Sequence, residues 1–313
     1  MNIVILGSGA MGCLFGGRLA EAGYPVTLVD VWKEHIDAIN AHGLRIEGAG
    51  GDRTIRGLRA VADPAGAGIA DLLIVLVKAP MTRTAITQAL PAVGPRTAVL
   101  TLQNGLGNVE AISEVVGGER VLAGVTGHGS TLLGPGAIRH AGQGDTVIGE
   151  VSGSVPGRLE ETADVLRNAG FAVSLSDNVM GLIWGKLLVN VGINALTAVT
   201  GLRNGRLADF PETGDLMEMA IREAVAVAEK KGIVLTVSDP VNHTREIAKK
   251  TAANRSSMLQ DVCRRRRTEI SVINGAIVGE GKRLGVPTPV NDVLAKLVAV
   301  REKTYDESEF TIL

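Results

Sequence analysis

An apolar run over residues 2–6 leads directly into a glycine-rich turn, and this feature restricts the fold more than any other. The turn reads Gly7-Ser8-Gly9-Ala10-Met11-Gly12. Apolar residues then recur at helical spacing until Gly23, so a strand, a G-x-G-x-x-G turn and a helix predict a dinucleotide-binding βα unit. Gly7 would permit the tight turn, Gly9 the approach of a pyrophosphate to the backbone, and Gly12 close packing of helix and strand. The alternative is a glycine turn that binds nothing.

The segments that follow alternate between strand-like and helix-like patterns. Apolar runs predict buried strands at residues 25–30, 72–77 and 97–102. The polar stretch 33–42 predicts a helix, and Pro80 is suited to begin another. This alternation is typical of a parallel doubly wound sheet. Short runs separated by glycines over 121–149 predict strands that close the sheet, with antiparallel pairing left open, before a helix at 159–168 and a strand at 171–175.

Strand patterns end after Ser176, and only helical patterns follow. The predicted helices span residues 179–200, 212–231, 240–251, 256–284 and 291–303. The sequence therefore predicts an α/β Rossmann-type NAD(P)-binding domain over residues 1–176 and a helical substrate-binding domain over residues 177–313. A cleft between two such domains is the expected place for an active site.

Composition excludes several classes of function. Lys and Arg total 32 against 33 Asp and Glu, and aromatic residues make up 3%, so neither counterion release nor base stacking favours a nucleic-acid binder. Two cysteines cannot build a disulfide framework and suit a reducing compartment. No uninterrupted apolar run reaches the ~18 residues of a membrane span, and the N-terminus lacks a basic leader. A cytoplasmic enzyme that does not bind membranes is expected.

Asp30 ends the second predicted strand, at the distance from the glycine turn where a ribose-binding carboxylate is expected. A carboxylate accepts hydrogen bonds from a 2′-hydroxyl and repels a 2′-phosphate, which favours NADH over NADPH. Lys33 is close enough in sequence to offset that repulsion. Asp30 could instead be the N-cap of the next helix, and the two roles are compatible.

Lys186, Asn190 and Asn194 follow each other at intervals of four residues in a segment that is otherwise apolar. On a helix this spacing aligns one ammonium group and two carboxamides along one face. Buried polar groups need partners, and a bound polar ligand could supply them. An ammonium group can protonate the oxygen of a ketone that receives a hydride. The alternative is a solvated edge or a polar contact to the other domain.

Four other features have ordinary structural explanations when each is considered alone. Glu269 would be a surface salt-bridge partner, and Arg264–Arg267 would be a solvated helix turn. Ser256 and Ser257 would begin a helix, and Asn104 would be a turn residue before Gly105. The five histidines show no metal-ligand spacing, so no metal is expected.

Taken together, these segments resemble the ketopantoate reductase family (2-dehydropantoate 2-reductases) over essentially the whole chain. The motifs that carry the resemblance are Gly7-Ser-Gly-Ala-Met-Gly12, Val77-Lys78-Ala79, Leu102-Gln-Asn-Gly105, Lys186-Leu-Leu-Val-Asn190 with Ile193-Asn194, Ser256-Ser-Met-Leu-Gln-Asp261, and Thr268-Glu269 with Ile273-Asn274-Gly275. The resemblance implies a Rossmann-type domain followed by a helical domain similar to that of 6-phosphogluconate dehydrogenases. It also implies NAD(P)H-dependent reduction of ketopantoate to (R)-pantoate, a step in pantothenate and coenzyme A biosynthesis.

The resemblance further implies a role for individual residues. Lys186 matches the lysine that protonates the keto oxygen, and Glu269 matches an acidic residue of substrate binding and catalysis. Substrate contacts are implied for Asn104, Asn190, Asn194, Asn204 and Ser257. Cofactor contacts are implied for the glycine turn from Gly7 to Gly12, for Lys78 and for Asn104.

The segment after the second strand departs from the family pattern. Members that use NADPH typically carry a basic residue there, whereas this chain has Asp30-Val-Trp-Lys33. The Asp30 carboxylate therefore favours NADH as the cofactor, whereas the family resemblance favours NADPH. An alternative function is an NAD-dependent D-2-hydroxyacid dehydrogenase for branched or aromatic 2-keto acids. A non-catalytic dinucleotide sensor is disfavoured, because Lys186, its two asparagines and Glu269 are all present. The expected partner is a small 2-keto acid, with a homodimer left open.

Overall fold

The computed structural model describes residues 1–151 and 157–307. The chain divides into two compact units. Residues Met1–Gln103 and Asn108–Val179 form an α/β unit, and Asn104–Gly107 together with the chain from Met180 onward form a helical unit. The sequence places the boundary after residue 176, and the main crossing between units follows Val179. The assignment of Asn104–Gly107 to the helical unit has no counterpart in the sequence pattern.

The α/β unit follows the predicted alternation of strands and helices. Its strands are β1 (Ile3–Leu6), β2 (Val26–Val29), β3 (Leu44–Gly48), β4 (Arg53–Ile55), β5 (Arg59–Val61), β6 (Ala70–Val75), β7 (Val93–Thr101), β8 (Val121–Thr126), β9 (Gly129–Gly134), β10 (Ala137–Gly142), β11 (Thr146–Glu150) and β12 (Val173–Leu175). Its α-helices are α1 (Ala10–Glu21), α2 (Lys33–His42), α3 (Thr82–Gln88), α4 (Asn108–Val116) and α5 (Arg158–Asn168).

Eight of these strands form the large sheet, in the order β12-β11-β8-β7-β6-β1-β2-β5. In this sheet order, the six neighbouring strands β8, β7, β6, β1, β2 and β5 are parallel to one another. Strand β11 is antiparallel to β8. The chain builds outward from β1 to β5 on one side, then crosses to β6 on the other. In doubly wound sheets, ligands bind at the carboxyl ends of the strands where the order reverses, so β1 and β6 position the glycine turn at the expected site.

A second, four-stranded sheet in the order β4-β3-β10-β9 was not predicted. The expectation that all strands over 121–149 close the large sheet is wrong for β9 and β10, because β9 pairs with β10 and β10 pairs with β3. Helix α1 packs between the two sheets: a Cβ added at Gly17 would lie 2.8 Å from Ile46 of β3. Since the helix is covered on both sides, its small residues allow the close approach.

The helical unit is built around one long apolar helix. Its α-helices are α6 (Val179–Thr200), α7 (Pro211–Lys230), α8 (Pro240–Lys250), α9 (Ser257–Cys263), α10 (Asn274–Leu284) and α11 (Pro289–Lys303). By length and composition α6 could cross a bilayer, and it is the one such helix among the described residues. However, 72% of its most apolar window is buried inside the protein, as expected for a core helix.

The single helix predicted over 256–284 is interrupted after Cys263. Arg265 adopts a left-handed backbone conformation with φ of 53°. Its amide donates to the carbonyl of Val262 (3.0 Å), and the next amide, of Arg266, donates to the carbonyl of Asp261 (2.9 Å). These two bonds form a Schellman motif, which ends a helix. The expected helical turn at Arg264–Arg267 is therefore wrong, although all four side chains are exposed as expected.

Replacing Arg265 with glycine is expected to stabilise the protein by about 0.5–1 kcal/mol, because glycine adopts this conformation without the Cβ clash that arginine suffers. The exposed ion pair of Arg265 with Asp306 contributes little to stability. Equilibrium urea denaturation measures the change. Arg264→Gly is the matched control, because Arg264 has an ordinary φ of −97° and should gain nothing. Equal effects of the two substitutions would contradict the prediction.

Candidate active site

The glycine turn leaves open space above its middle glycine and none beside the other two. Gly7 has φ of 97°, and a Cβ there would lie 2.6 Å from the amide nitrogen of Val77. A Cβ on Gly12 would collide with the carbonyl oxygen of Gly7, whereas one on Gly9 would meet nothing within 4 Å. Gly9 is the N-cap of α1 and supplies no side chain to its free amides. These amides and the positive end of the helix dipole suit a phosphate.

The Asp30 carboxylate faces this turn. Its Oδ2 accepts hydrogen bonds from the amide (2.8 Å) and the hydroxyl (3.0 Å) of Ser8, and its Oδ1 accepts one from the amide of Trp32 (3.1 Å). The N-cap of α2 is Trp32, so the alternative role of Asp30 as that cap is wrong. Lys33 bonds to Asp37 at 2.6 Å rather than to Asp30. Lys33 therefore does not neutralise the Asp30 carboxylate by an ion pair.

Cys13 and His35 are buried beside the glycine turn and hold Ser8 in place, a role that the sequence did not indicate. The Cys13 thiol donates to the carbonyl of Ser8 (3.0 Å) and lies 3.3 Å from Nε2 of His35. The amide of Gly136 donates to Nδ1 of His35 (3.0 Å), so the neutral ring carries its proton on Nε2. Burial lowers the pKa of His35, which keeps the ring neutral. With Asp30 on its amide and hydroxyl, Ser8 is fixed at three atoms.

Lys78 is exposed in the segment after β6, next to the Val77 that packs against Gly7. The side chain of Gln103 donates to the carbonyl of Val77 (2.7 Å) and to the hydroxyl of Thr82 (2.8 Å). Gln103 thus ties the end of β7 to the Lys78 segment. In the sequence, Gln103 appeared only as part of a family motif. Its position directly after a buried strand could have indicated that its side chain lies at the carboxyl edge of the sheet.

The glycine turn yields a paired prediction. Gly9→Ala should leave unfolding unchanged, because the new methyl group meets no protein atom, yet raise the KM of the dinucleotide roughly tenfold or more by occupying the phosphate space. Gly12→Ala, in contrast, should destabilise the fold, because its methyl group collides with the Gly7 carbonyl. Thermal unfolding and cofactor kinetics of both variants separate the two effects. A wild-type KM for Gly9→Ala would argue against a phosphate at this turn.

In the helical unit, α6 carries the predicted polar stripe. Lys186 and Asn190 are partly buried, and Asn194 is 5% exposed. The residues between them are mostly buried; Leu187, Leu188 and Val191 are at most 1% exposed. The stripe is therefore set into an apolar core rather than along a solvated edge.

Glu269 lies close enough to Lys186 for its charge to act on the pKa of that lysine. Burial lowers the pKa of Lys186 to about 8, and the negative charge of Glu269 acts in the opposite direction. Glu269 is 9% exposed, so the surface salt-bridge alternative is wrong. The carboxylate keeps part of the lysine population charged, while burial brings its proton within reach of transfer near neutral pH.

Ser257 is the first residue of α9, and it follows Ser256, whose side chain contacts α6. Ser256 caps α9 by accepting from the amide of Leu259 (3.0 Å), as predicted, and its hydroxyl is 2.7 Å from that of Thr197. The Thr197 hydroxyl also donates to the backbone carbonyl of Asn194 (2.9 Å). Ser257 itself is exposed. The start of α9 is thus held beside the Asn194 end of the stripe.

Asn104 begins the short segment Asn104–Gly107, which belongs to the helical unit. The amide of Leu106 donates to the carbonyl of Val272 (2.9 Å), and a Cβ on Gly105 would lie 2.6 Å from the same oxygen. Val272 lies three residues after Glu269 in the chain, so the segment that contains Asn104 packs against the segment that follows Glu269.

Asn204 is placed differently. It is 8% exposed, its amide group donates to Thr251 (2.9 Å), and its backbone amide donates to Asn254 (3.1 Å). Its Oδ1 is buried with no partner within the part of the chain that the structure describes. These contacts tie Asn204 to the turn after α8, and its substrate contact stays a prediction.

The helical unit thus gathers one lysine of lowered pKa, one buried carboxylate and several amide and hydroxyl groups. Such a set can bind an anionic substrate and transfer a proton to a developing oxyanion. Within residues 1–151 and 157–307, no group of three or more His, Cys, Asp and Glu side chains is suited to hold a metal ion.

Comparisons with known proteins identify the family to which this chain is similar. The family described as "Ketopantoate reductase PanE/ApbA" matches residues 3–153, and its C-terminal family matches residues 178–302. A 2-dehydropantoate 2-reductase of Halobacterium salinarum is 37% identical and covers 97% of this chain and 99% of its own. The crystal structure of a PanE/ApbA family ketopantoate reductase from Ralstonia eutropha JMP134 is 36% identical, with a TM-score of 0.90 and coverage of 98% and 100%. A D-mandelate dehydrogenase with NADH and anilino(oxo)acetate is 30% identical, with a TM-score of 0.91 and the same coverage.

Proposed function

This chain belongs to the ketopantoate reductase family, and from that membership we propose that it reduces 2-dehydropantoate to (R)-pantoate. The observation that carries the proposal is Lys186, whose burial lowers its pKa to about 8 and on which the charge of Glu269 acts, in the same unit as Asn190 and Asn194. A buried lysine near its pKa is suited to protonate an oxygen. The amides beside it are suited to bind a carboxylate and a hydroxyl, the two polar ends of this substrate.

In the proposed mechanism, the bound reduced nicotinamide dinucleotide supplies the hydride for C2 of the keto acid. The ammonium group of Lys186 donates a hydrogen bond to the keto oxygen and passes its proton to it as the carbonyl π electrons move onto that oxygen. Lys186 is then a neutral amine, and it regains a proton from solvent. Glu269 favours the charged form of Lys186 and so prepares it for the next turnover. Asn104, Asn190, Asn194, Asn204 and Ser257 bind the substrate.

The residues of the α/β unit indicate which cofactor the protein prefers. The open space at Gly9 and the uncapped amides of α1 fit a pyrophosphate, and Asp30 fits a ribose 2′-hydroxyl. A 2′-phosphate would be placed near this carboxylate, and Lys33 is bonded to Asp37 instead. NADH is therefore the preferred cofactor, and NADPH is accepted less well.

Steady-state kinetics test the proposal. We expect kcat/KM for 2-dehydropantoate to exceed that for 2-ketoisovalerate by ten-fold or more, because only 2-dehydropantoate has a hydroxyl group for the polar stripe. Each substrate is assayed with NADH and NADPH by the loss of reduced-nicotinamide absorbance. Equal values for the two keto acids would exclude 2-dehydropantoate as the preferred substrate.

A second candidate function is an NADH-dependent dehydrogenase of branched or aromatic D-2-hydroxy acids. The Asp30 carboxylate favours it, as does the likeness to the D-mandelate dehydrogenase with NADH. Phenylglyoxylate separates the two candidates, because faster reduction of this aromatic keto acid than of 2-dehydropantoate would select the second. Turnover of either acid excludes a non-catalytic dinucleotide sensor.

The cytoplasm is the proposed compartment, supported by the two unpaired cysteines and the burial of α6. Cell fractionation tests this location, and recovery of the protein with membranes would contradict it.

A homodimer stays an open expectation, which sedimentation of the purified protein would decide.

A further inference from the structure

Three polar side chains from different helices meet in the core of the helical unit. Asn274 begins α10 and Asn291 lies in the first turn of α11, and both are 0% exposed. Glu223 of α7 is partly buried. Burying such groups is unfavourable unless they are hydrogen-bonded, and the proposed mechanism uses none of the three.

The hydrogen bonds among them have a fixed direction. The Glu223 carboxylate accepts from the amides of Val290 (2.8 Å) and Asn291 (3.0 Å) and from Nδ2 of Asn291 (2.7 Å). Because a carboxylate only accepts, the NH2 group of Asn291 must face Glu223, and its Oδ1 must face Asn274. Nδ2 of Asn274 donates to that Oδ1 (3.0 Å). The side-chain amides of Asn291 and Asn274 thus each have one orientation.

The last bond of this series reaches the helix that carries Lys186. Nδ2 of Asn274 also donates to the backbone carbonyl of Val191 (3.3 Å), the residue after Asn190 on α6. Asn274 itself ends the segment that begins at Glu269. Thr268, the residue directly before this segment, donates from its amide (2.7 Å) and its hydroxyl (2.5 Å) to the Glu302 carboxylate of α11. The Glu269 segment is therefore anchored at both ends, and one anchor is α6.

We propose that Glu223, Asn291 and Asn274 form a positioning relay that fixes the Glu269 segment against α6 and so sets the spacing between Glu269 and Lys186. The relay touches neither substrate nor reacting atoms; it acts through the two catalytic residues, and the inference rests on the proposed function. Displacements on the order of 1 Å can cost about a hundredfold in rate. The fixed direction of its hydrogen bonds allows one arrangement of the segment rather than several.

Two variants test the relay. Asn274→Ser shortens the side chain so that it no longer reaches both partners, and Glu223→Gln keeps the shape but places an NH2 group against an N–H donor. We expect kcat to fall by about 10–100-fold with KM for the keto acid and for NADH within about threefold of wild type. The alkaline limb of the kcat–pH profile should move to lower pH, because a displaced Glu269 no longer raises the pKa of Lys186.

Asn242→Ser is the matched control, since Asn242 is exposed on α8 outside the relay. If Asn274→Ser does not fold, Glu223→Gln decides the question. Folded variants with a wild-type kcat and pH profile, or with a lower melting temperature alone, would overturn the proposal. All variants are assayed with the keto acid that wild type turns over fastest. Failure of wild type on 2-dehydropantoate would thus count against the proposed substrate and not against the relay.

Discussion

Replacing Lys186 with alanine is expected to lower kcat by about 10²–10⁴-fold, the range that general acid catalysis contributes. Without the ammonium group, the oxygen that gains charge during hydride transfer has no adjacent proton donor. Stopped-flow measurement of a single turnover at saturating keto acid and NADH isolates the chemical step. KM for NADH should change little, because the glycine turn and Asp30 lie in the other unit.

The same residue predicts the pH dependence of the wild-type enzyme. Reduction needs the charged form of Lys186, which dominates below its pKa of about 8. We therefore expect kcat for reduction to be level at lower pH and to fall by about tenfold per pH unit well above pH 8. The kcat–pH profile of the wild type measures this limb, and Lys186→Ala should lack it.

Lys249→Ala is the matched control for this prediction. Lys249 is an exposed lysine on α8, and its loss should leave both kcat and the pH profile unchanged. Near-normal turnover by Lys186→Ala would show that another group is the acid. A level wild-type profile up to pH 10 would show that Lys186 does not titrate where its burial indicates.

Replacing Asp30 with serine is expected to shift the ratio of kcat/KM for NADPH to that for NADH by about 10–100-fold toward NADPH. The substitution removes a charge-assisted hydrogen bond of about 1.5–3 kcal/mol to the ribose hydroxyl of NADH. It also removes the repulsion of a 2′-phosphate. Because Asp30 orients Ser8 as well, both cofactors should bind less tightly, and the ratio cancels that common loss.

Asp37→Ser is the control, because it removes a nearby carboxylate on α2 and breaks the ion pair with Lys33 without touching Ser8. It should change the cofactor ratio by no more than a few-fold. A wild-type enzyme that is faster with NADPH would contradict the role given to Asp30. An unchanged ratio in Asp30→Ser would place the specificity elsewhere in the unit.

Features that depend on local pattern were predicted well. The glycine turn between β1 and α1, and the bounds of α2 and α6, follow from short-range periodicity and from residues next to each other in the chain. Lys186, Asn190 and Asn194 share a face of α6 because helical geometry alone determines it. The role proposed for Glu269 came from the family resemblance, because its neighbours in the sequence did not suggest it.

Features that depend on distant partners were not predicted. The second sheet forms because β10 pairs with β3, from an earlier part of the chain, and no local pattern records that pairing. Likewise, the orientation of Asp30 depends on Ser8, and the anchoring of the Glu269 segment depends on helices that precede and follow it.

The sequence by itself therefore determined the glycine turn, several long helices and strands of the large sheet, and the chemical groups that each of them carries, because backbone periodicity and turn chemistry act over a few residues. Only the tertiary structure decided the electrostatic state of those groups. Burial lowers the pKa of Lys186, the charge of Glu269 opposes that shift, and Ser8 holds Asp30 toward the glycine turn. Desolvation and hydrogen bonding depend on what surrounds a group in space, and those surroundings come from residues far apart in the chain.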